Sequence, residues 1–224
     1  MSKSWFVTGT DTGVGKTAVS CALLVAAAQA GLRTAAVKPV AAGCDENAHH
    51  EDALHLMMSM TEDLDYSQVN PVALEAAVAP HIAAGLEDKQ VQASRLTGLC
   101  RGVMLGRADF VLIEGAGGWR VPINRRETMA DVAIQLQVGV ILVVGMQLGC
   151  INHALLTAEA IDRDGLQLAA WVANQPGPRM ACHEENLDTL RHSLPAPLLG
   201  DVPFLHPWQA QQMATCLDIG PLVQ

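Results

Sequence analysis

The sequence is poor in positive charge, because its 14 Lys and Arg residues face 23 Asp and Glu residues and leave a formal net charge of −9. Nucleic acids and anionic membrane surfaces would both repel such a chain. The charge balance therefore argues against either as a partner. A small anionic ligand would have to be held by local donors.

Long apolar runs and paired cysteines are also missing. The longest apolar stretches are broken by Gly, Lys or Gln, so none reaches the roughly 20 residues that cross a bilayer. The six cysteines show no C-x-x-C pair and no disulfide spacing, and the first residues lack a cleavable signal pattern. We expect reduced thiols and a cytoplasmic location. With 224 residues, 50% of them hydrophobic, one domain over residues 1–224 is the simplest expectation.

Short apolar strands alternate with longer helical segments, which predicts an α/β fold with a doubly wound, mostly parallel sheet covered on both faces. The predicted strands are Trp5–Gly9, Ala35–Lys38, Phe110–Glu114, Val140–Gly145, Ala169–Asn174 and Leu198–Gly200. The predicted helices are Thr17–Ala30, Glu51–Met60, Gln90–Gly106, Met129–Gln137, Ile151–Asp164, Cys182–Ser193 and roughly Pro207–Cys216. Prolines and a glycine interrupt the pattern between Thr61 and Asp88, which predicts an irregular excursion over one end of the sheet.

The turn between the first strand and the first helix is the most informative stretch. Its residues 9–17 read GTDTGVGKT. A strand, a glycine-rich turn with bare N–H groups and a helix N-terminus together form a phosphate-binding P-loop. Lys16 is predicted to contact the β- and γ-phosphates, and the Thr17 hydroxyl to bind Mg²⁺. Because Thr10 occupies the position of the first glycine, this is a variant P-loop. The alternative is a glycine-rich turn that caps an ordinary helix.

Polar and glycine residues follow several other predicted strands. Ligands of open α/β sheets lie beyond the carboxyl ends of the strands, and here those ends carry Gly9, Lys38, Glu114, Gly145 and Asn174. An unpaired carboxylate at the end of an apolar strand is costly, which favours a metal-binding role for Glu114. Lys38 as a surface lysine and Asn174 as a turn residue before Gln175-Pro176-Gly177-Pro178 are the alternatives.

The segments that carry a resemblance are VTGTDT at 7–12, VGKT at 14–17, VKPV at 37–40, EGAGGW at 114–119, LGCINHALLT at 148–157 and WVAN at 171–174. Together they closely resemble the dethiobiotin synthetase family, over the chain from Trp5 to about Leu205. The resemblance implies a P-loop NTPase fold and an ATP- and Mg²⁺-dependent cyclo-ligase. That enzyme closes a cyclic urea on 7,8-diaminononanoate with CO₂, through a carbamate and a carbamic-phosphoric anhydride. It also implies homodimers with active sites near the subunit interface.

The resemblance also implies roles for individual residues. Lys38 and Lys16 would be catalytic, with Lys38 beside the carbamate and the γ-phosphate. Thr17, Asp52 and Glu114 would bind Mg²⁺. For Asp52, which lies in the polar run at 49–52, a solvated residue in the first turn of a helix is the alternative. The ATP-binding residues would be Gly13, Val14, Gly15, Lys16, Thr17, Ala18, Asp52, Glu114, Gly115, Ala116, Gly117, Asn174, Gln175, Pro203, Phe204 and Leu205. The substrate-binding residues would be Thr12, Lys38, Ala42, Pro80, Gly118, Gly149, Cys150, Ile151 and Asn152, with His81 near the diamine. Cys150 is interpreted as a packing residue rather than a nucleophile.

Three positions depart from the family pattern. Gly13 stands where a glutamate is common, Ala42 where a hydroxyl residue usually contacts the substrate, and Asn186 where some members place a tyrosine that reaches across the dimer. A paralogue that acts on a related diamine is therefore one alternative.

Two further alternatives belong to other classes. A partitioning or targeting ATPase would carry a second lysine five residues before the P-loop lysine, where this chain has Asp11. A small-molecule kinase would need an Arg-rich lid, and Arg125-Arg126 is the only basic doublet that could contribute to one.

Overall fold

The computed structural model describes residues 2–223, and its elements alternate as the sequence pattern predicts. The main strands are β1 (Lys3–Gly9), β2 (Thr34–Val37), β5 (Phe110–Gly118), β6 (Gly139–Gly145), β7 (Leu168–Asn174) and β8 (Leu198–Val202), with short strands β3 (Ala41–Ala42) and β4 (Ala73–Leu74). The helices are α1 (Lys16–Gln29), α2 (Glu51–Ser59), α3 (Tyr66–Val69), α4 (Pro80–Leu86), α5 (Ala93–Met104), α6 (Met129–Leu136), α7 (Cys150–Arg163), α8 (His183–Ser193), α9 (Ala210–Ala214) and α10 (Gly220–Val223). Within residues 2–223, no helix is long and apolar enough to span a bilayer.

The main sheet has six strands in the order β2-β5-β1-β6-β7-β8, and every pairing is parallel. Its two faces have separate cores because neighbouring residues of a strand point to opposite sides. Phe6 packs on the face covered by α5, α6 and α7, whereas Val7 packs on the face covered by α1 and α9. The predicted fold class, a doubly wound parallel α/β sheet, is confirmed.

Several predicted boundaries differ from the observed ones. The strand that begins at Phe110 continues through the glycines to Gly118, because it pairs with β1 as far as Gly9. The last long predicted helix, Pro207–Cys216, shrinks to the five residues of α9, because the three residues before Ala210 and the two after Ala214 are not helical. The predicted excursion between Thr61 and Asp88 contains the short elements α3, β4 and α4, of which β4 pairs with β3 in a small second sheet.

Candidate active site

The carboxyl ends of β1, β2, β5 and β7 surround a cavity of about 910 Å³. Most of the residues that the sequence predicted for ATP and substrate line it. These are Thr12, Gly13, Gly15, Lys16, Thr17, Ala18, Lys38, Ala42, Asp52, Pro80, Ala116, Gly117, Asn174, Gln175, Pro203, Phe204 and Leu205. The parallel sheet thus brings residues more than 180 positions apart to one wall, as strand ends in such sheets do.

The turn between β1 and α1 has the backbone of a phosphate cradle. Gly13 and Gly15 both have positive φ angles, and Gly15 is the N-cap of α1. Lys16 is buried, and its ammonium donates to the Asp11 carbonyl oxygen at 3.0 Å, which folds the side chain back over the turn. Free N–H groups and the helix dipole make this end of α1 suited to an anion.

A cluster of charged and hydroxyl groups lies beside this turn. Lys38 Nζ donates to Asp52 Oδ2 at 2.7 Å and to Glu114 Oε1 at 2.6 Å. The Thr17 hydroxyl donates to the same Glu114 oxygen at 2.8 Å. Burial disfavours the charge of Lys38, but the Glu114 and Asp52 carboxylates outweigh it and raise the pKa of Lys38. Burial acts against the charge of Asp52 too, yet Lys38 lowers the pKa of that carboxyl below its ordinary value.

The cluster fits a magnesium ion. Glu114 is fully buried, and its Oε2 atom has no hydrogen-bond partner within the described residues. A buried carboxylate oxygen left without a partner is costly unless a cation or donor meets it. The Glu114 and Asp52 carboxylates and the Thr17 hydroxyl supply oxygen atoms, which are the ligands that Mg²⁺ prefers.

Three residues that sequence reasoning missed support this cluster. Asn70 Nδ2 donates to the Lys38 carbonyl oxygen at 2.7 Å and fixes the backbone there. The Tyr66 hydroxyl donates to Asn70 Oδ1 and accepts from the backbone N–H of His50. His50 Nδ1 in turn accepts from the Asp52 backbone N–H and caps α2. His50 belongs to the polar run at 49–52, and Tyr66 and Asn70 belong to the weakly patterned excursion at 61–88. Hydrophobic periodicity in these segments gives no signal that they contact the cluster.

The far end of the cavity carries amides and an apolar wall. Asn174 Nδ2 donates to the Val14 carbonyl oxygen at 2.8 Å, which ties β7 to the P-loop. Phe204 is nearly half exposed and lies on the wall with Pro203 and Leu205. A flat, partly apolar recess with amide groups is suited to a heteroaromatic base.

Other predicted site residues lie elsewhere. Val14, Glu114 and Gly115 are buried and do not line the cavity, and neither does Gly118, the last residue of β5. Gly149, Cys150, Ile151 and Asn152 open helix α7 and also do not line the cavity, and His81 lines a neighbouring one. Burial raises the pKa of the Cys150 thiol, which keeps it protonated and suits a packing role.

Comparison with known proteins identifies the family. The family model described as "AAA domain" matches residues 3–212. The ATP-dependent dethiobiotin synthetase of Marinobacter nauticus is 53% identical, over 99% of this chain and 98% of that protein. The chain belongs to the dethiobiotin synthetase family. The ATP-dependent dethiobiotin synthetase 1 of Escherichia coli O157:H7 is 50% identical over 92% of each chain.

Solved structures with a similar fold are more distant in sequence. The septum site-determining protein MinD of Pyrococcus horikoshii, complexed with Mg-ADP, has a TM-score of 0.57 at 16% identity, over 100% of this chain and 95% of that one. A ParA family ATPase from Chlorobium tepidum has a TM-score of 0.57 at 12% identity, over 100% and 96% of the two chains. At this identity the likeness concerns the fold alone and confirms the P-loop NTPase type.

Proposed function

We propose that this chain closes the cyclic urea of dethiobiotin on 7,8-diaminononanoate, with CO₂, ATP and Mg²⁺. Family membership supports the ATP-dependent ligase reaction. The single observation that carries the proposal is the ammonium of Lys38, held between two carboxylates beside the P-loop lysine in one cavity. The two ammonium groups, of Lys16 and Lys38, would thus face a carbamate and then its phosphorylated form, which carry increasing negative charge.

The reaction brings two anions together. One neutral amine of the substrate attacks the carbon of CO₂ and loses a proton, which gives a carbamate. A carbamate oxygen then attacks the γ-phosphorus of ATP, and ADP leaves. The second amine attacks the carbonyl carbon of the resulting anhydride, loses a proton and expels phosphate. Cations placed in advance at the carbamate and the γ-phosphate lower the cost of each approach.

The chain's own residues divide this work. Lys16 would contact the β- and γ-phosphates above the cradle of Gly13 and Gly15. Lys38 would offset the charge of the carbamate and would keep the Asp52 carboxylate ionised, since it lowers the pKa of that group. The Asp52 and Glu114 carboxylates and the Thr17 hydroxyl would hold Mg²⁺, which when bound supplies further charge neutralisation at the phosphates.

The substrate would lie between the P-loop and the excursion over the sheet. Thr12, Ala42 and Pro80 line the cavity on that side. Ala42 replaces a hydroxyl residue that is usual in the family. If the chain were a paralogue that acts on a related diamine, the difference in substrate binding would lie on this side of the cavity.

The turn at Gly149–Asn152 would act across a homodimer. It opens helix α7 outside the cavity of its own chain, although the sequence predicts that it binds the substrate, and the free N–H groups of a helix start suit the substrate carboxylate. Leu148, two residues before α7, is 95% exposed, and Leu156 within α7 is 56% exposed. An apolar face of this kind is suited to burial against a second copy of the chain, whose cavity the turn would then reach.

The nucleotide-switch alternative has weaker support. The fold is shared with such ATPases, but Asp11 stands where their second lysine would lie. The Asp11 carbonyl oxygen instead accepts the hydrogen bond of Lys16. We therefore propose the ligase reaction.

Replacement of Lys38 tests the proposal. Lys38→Gln leaves the cradle of Gly13 and Gly15 intact, so ATP should still bind. Product formation should fall on the order of 10²–10⁴-fold, because a cation placed for the transition state is lost. Nucleotide affinity is measured by calorimetry, and dethiobiotin by mass spectrometry.

The control for this variant is its stability. Removal of a buried cation leaves two carboxylates without their partner and can cost about 3–5 kcal/mol. Thermal unfolding in saturating Mg²⁺ therefore accompanies the activity measurement. A folded variant that loses ATP binding together with turnover would reassign Lys38 to the nucleotide site, and one with unchanged turnover would contradict the proposed role.

A further inference from the structure

Two adjacent side-chain amides, those of Asn174 and Gln175 at the end of β7, line the cavity. The nitrogen of each already donates a hydrogen bond to another group of the protein. Asn174 Nδ2 donates to the Val14 carbonyl oxygen at 2.8 Å, and Gln175 Nε2 donates to Asp201 Oδ1 at 3.3 Å. Over residues 2–223, neither amide oxygen accepts a hydrogen bond, and neither is sealed from solvent. An amide anchored through its nitrogen presents its oxygen on the other side, so this wall offers acceptors.

The orientation of Gln175 depends on a further pair. Asp201 Oδ2 lies 2.8 Å from His183 Nε2, and His183 is only 3% exposed. Because a carboxylate oxygen can only accept, the hydrogen lies on His183 Nε2. His183 therefore fixes one oxygen of Asp201, while the other oxygen fixes Gln175. The backbone of Gln175 is held as well, since its N–H donates to the Val202 carbonyl oxygen.

The same side chains resemble a metal cluster, but their bonds favour a positioning role. His183, Glu184 and Asp201 place ligand atoms within 4.8 Å of one another. Glu184 is paired with Arg179, and both oxygens of Asp201 already accept hydrogen bonds. These protein partners account for each of the two carboxylates.

We propose that His183 and Asp201 are positioning residues that hold the Gln175 amide with its oxygen toward the nucleotide base, and thereby make the site select ATP over GTP. The 6-amino group of adenine donates hydrogen bonds, whereas the 6-oxo group of guanine accepts them. Acceptor oxygens from Asn174 and Gln175 match the first base and repel the second. The inference rests on the ATP-binding part of the proposed function.

The test compares nucleotide selectivity among variants. Asp201→Ala and His183→Ala each free the Gln175 amide to rotate. We expect the ratio of ATP to GTP affinity, measured by calorimetry with Mg²⁺, to fall about tenfold, since one hydrogen bond of typical net strength is at stake. The KM for ATP should rise in parallel, while kcat and the KM for the diamine should stay within about twofold of wild type.

Matched variants separate positioning from general damage. Asp201→Asn keeps an acceptor for Gln175 and His183→Gln keeps a donor for Asp201, so both should retain most of the selectivity. His192→Ala changes an exposed histidine on the same helix and should leave selectivity unchanged. If His183→Ala does not fold, Asp201→Ala decides the matter, because its carboxylate is 25% exposed.

Two results would overturn the inference. One is an unchanged ATP to GTP ratio in folded Asp201→Ala. The other is an equal loss of affinity for both nucleotides, which would mean a merely structural role. Wild-type protein that fails to bind ATP would instead overturn the proposed function, and the inference with it.

Discussion

Two lysines meet at this site in different surroundings. Lys38 donates hydrogen bonds to two carboxylates, whereas the Lys16 ammonium, among residues 2–223, donates only to the Asp11 carbonyl oxygen. Burial, with the charge of Lys38 second, lowers the pKa of Lys16 to about 8. Lys38 therefore stays charged across the working range of pH, and Lys16 is the lysine whose charge depends on whether phosphate is bound.

A pH dependence of nucleotide binding follows. Phosphate favours charged Lys16, so ATP affinity should be level below about pH 8 and fall up to tenfold per pH unit above it, until the pKa of the complex is reached. Calorimetry in buffers of different ionisation enthalpy should detect proton uptake on binding above pH 8. Flat affinity from pH 7 to 10 would contradict the assignment.

The same shift affects stability with a definite sign. Because the folded pKa of Lys16 lies below its unfolded value, the unfolded chain binds more protons between about pH 8 and 10.5. The contribution of Lys16 to the free energy of unfolding therefore rises with pH in that window. Burial of this ammonium costs stability at neutral pH, which suits a group reserved for an anionic ligand.

The carboxylates of the cluster give a second prediction. Glu114→Gln and Asp52→Asn remove charge with little change of size, so each should raise the Mg²⁺ concentration needed for half-maximal activity by about tenfold or more. Asp11→Asn, an exposed carboxylate outside the cluster, is the control. An unchanged Mg²⁺ titration in Asp52→Asn would mean that Asp52 only begins helix α2.

The turn that joins β1 to α1 depends on its glycines for different reasons. At Gly15, a Cβ atom would lie 2.3 Å from Asn174 Nδ2, and φ is +87°. At Gly13, φ is +74°, but among the described residues no heavy atom beyond the glycine and its two chain neighbours lies within 4 Å of the Cβ position. The positive φ angle disfavours a side chain at both positions. Only at Gly15 would a side chain also collide with a neighbour, Asn174.

Alanine substitution separates these two costs. Gly13→Ala should lower the free energy of unfolding by about 1–2 kcal/mol through backbone strain alone. Gly15→Ala should cost more, because it also displaces Asn174 from the Val14 carbonyl oxygen. Denaturant unfolding without nucleotide measures the free energy of unfolding of both variants. Equal losses would show that the contact with Asn174 does not contribute to stability.

Strong local signals explain which elements were predictable. The strand, glycine-rich turn and helix at 5–30 follow from adjacent residues, and the P-loop prediction needed no distant contact. The excursion at 61–88 lacked such signals, and its elements form through distant partners such as the pairing of Ala73 with Ala41. The helix predicted from Pro207 was too long at its start, because the segment up to Trp208 lines the cavity before α9 begins at Ala210, and composition does not reveal that contact.

The candidate site was predictable at strand ends and less so beyond them. Lys38 and Glu114 could be placed together because parallel strands end at one edge of a sheet. The bonds that orient them, from Asn70, Tyr66 and His50, cross between elements and leave no periodic trace. The position of Gly149–Asn152 outside the cavity is likewise a property of the assembled fold.

The whole molecule is an acidic protein that gathers two buried lysines at one cavity. Its net charge of −9 is therefore no obstacle to an anionic ligand, since the local field of Lys16, Lys38 and the N-terminus of α1 decides binding there. We propose that this field couples ATP cleavage to carbamate formation.

Phosphate release under four conditions tests that coupling most directly. Purified protein with Mg²⁺ and ATP is assayed alone, with 7,8-diaminononanoate, with bicarbonate, and with both. We expect rapid release only when both are present, with one dethiobiotin formed per phosphate. Release that is equally fast without the diamine would mean that ATP cleavage is not coupled to the carbamate, and would favour a nucleotide switch.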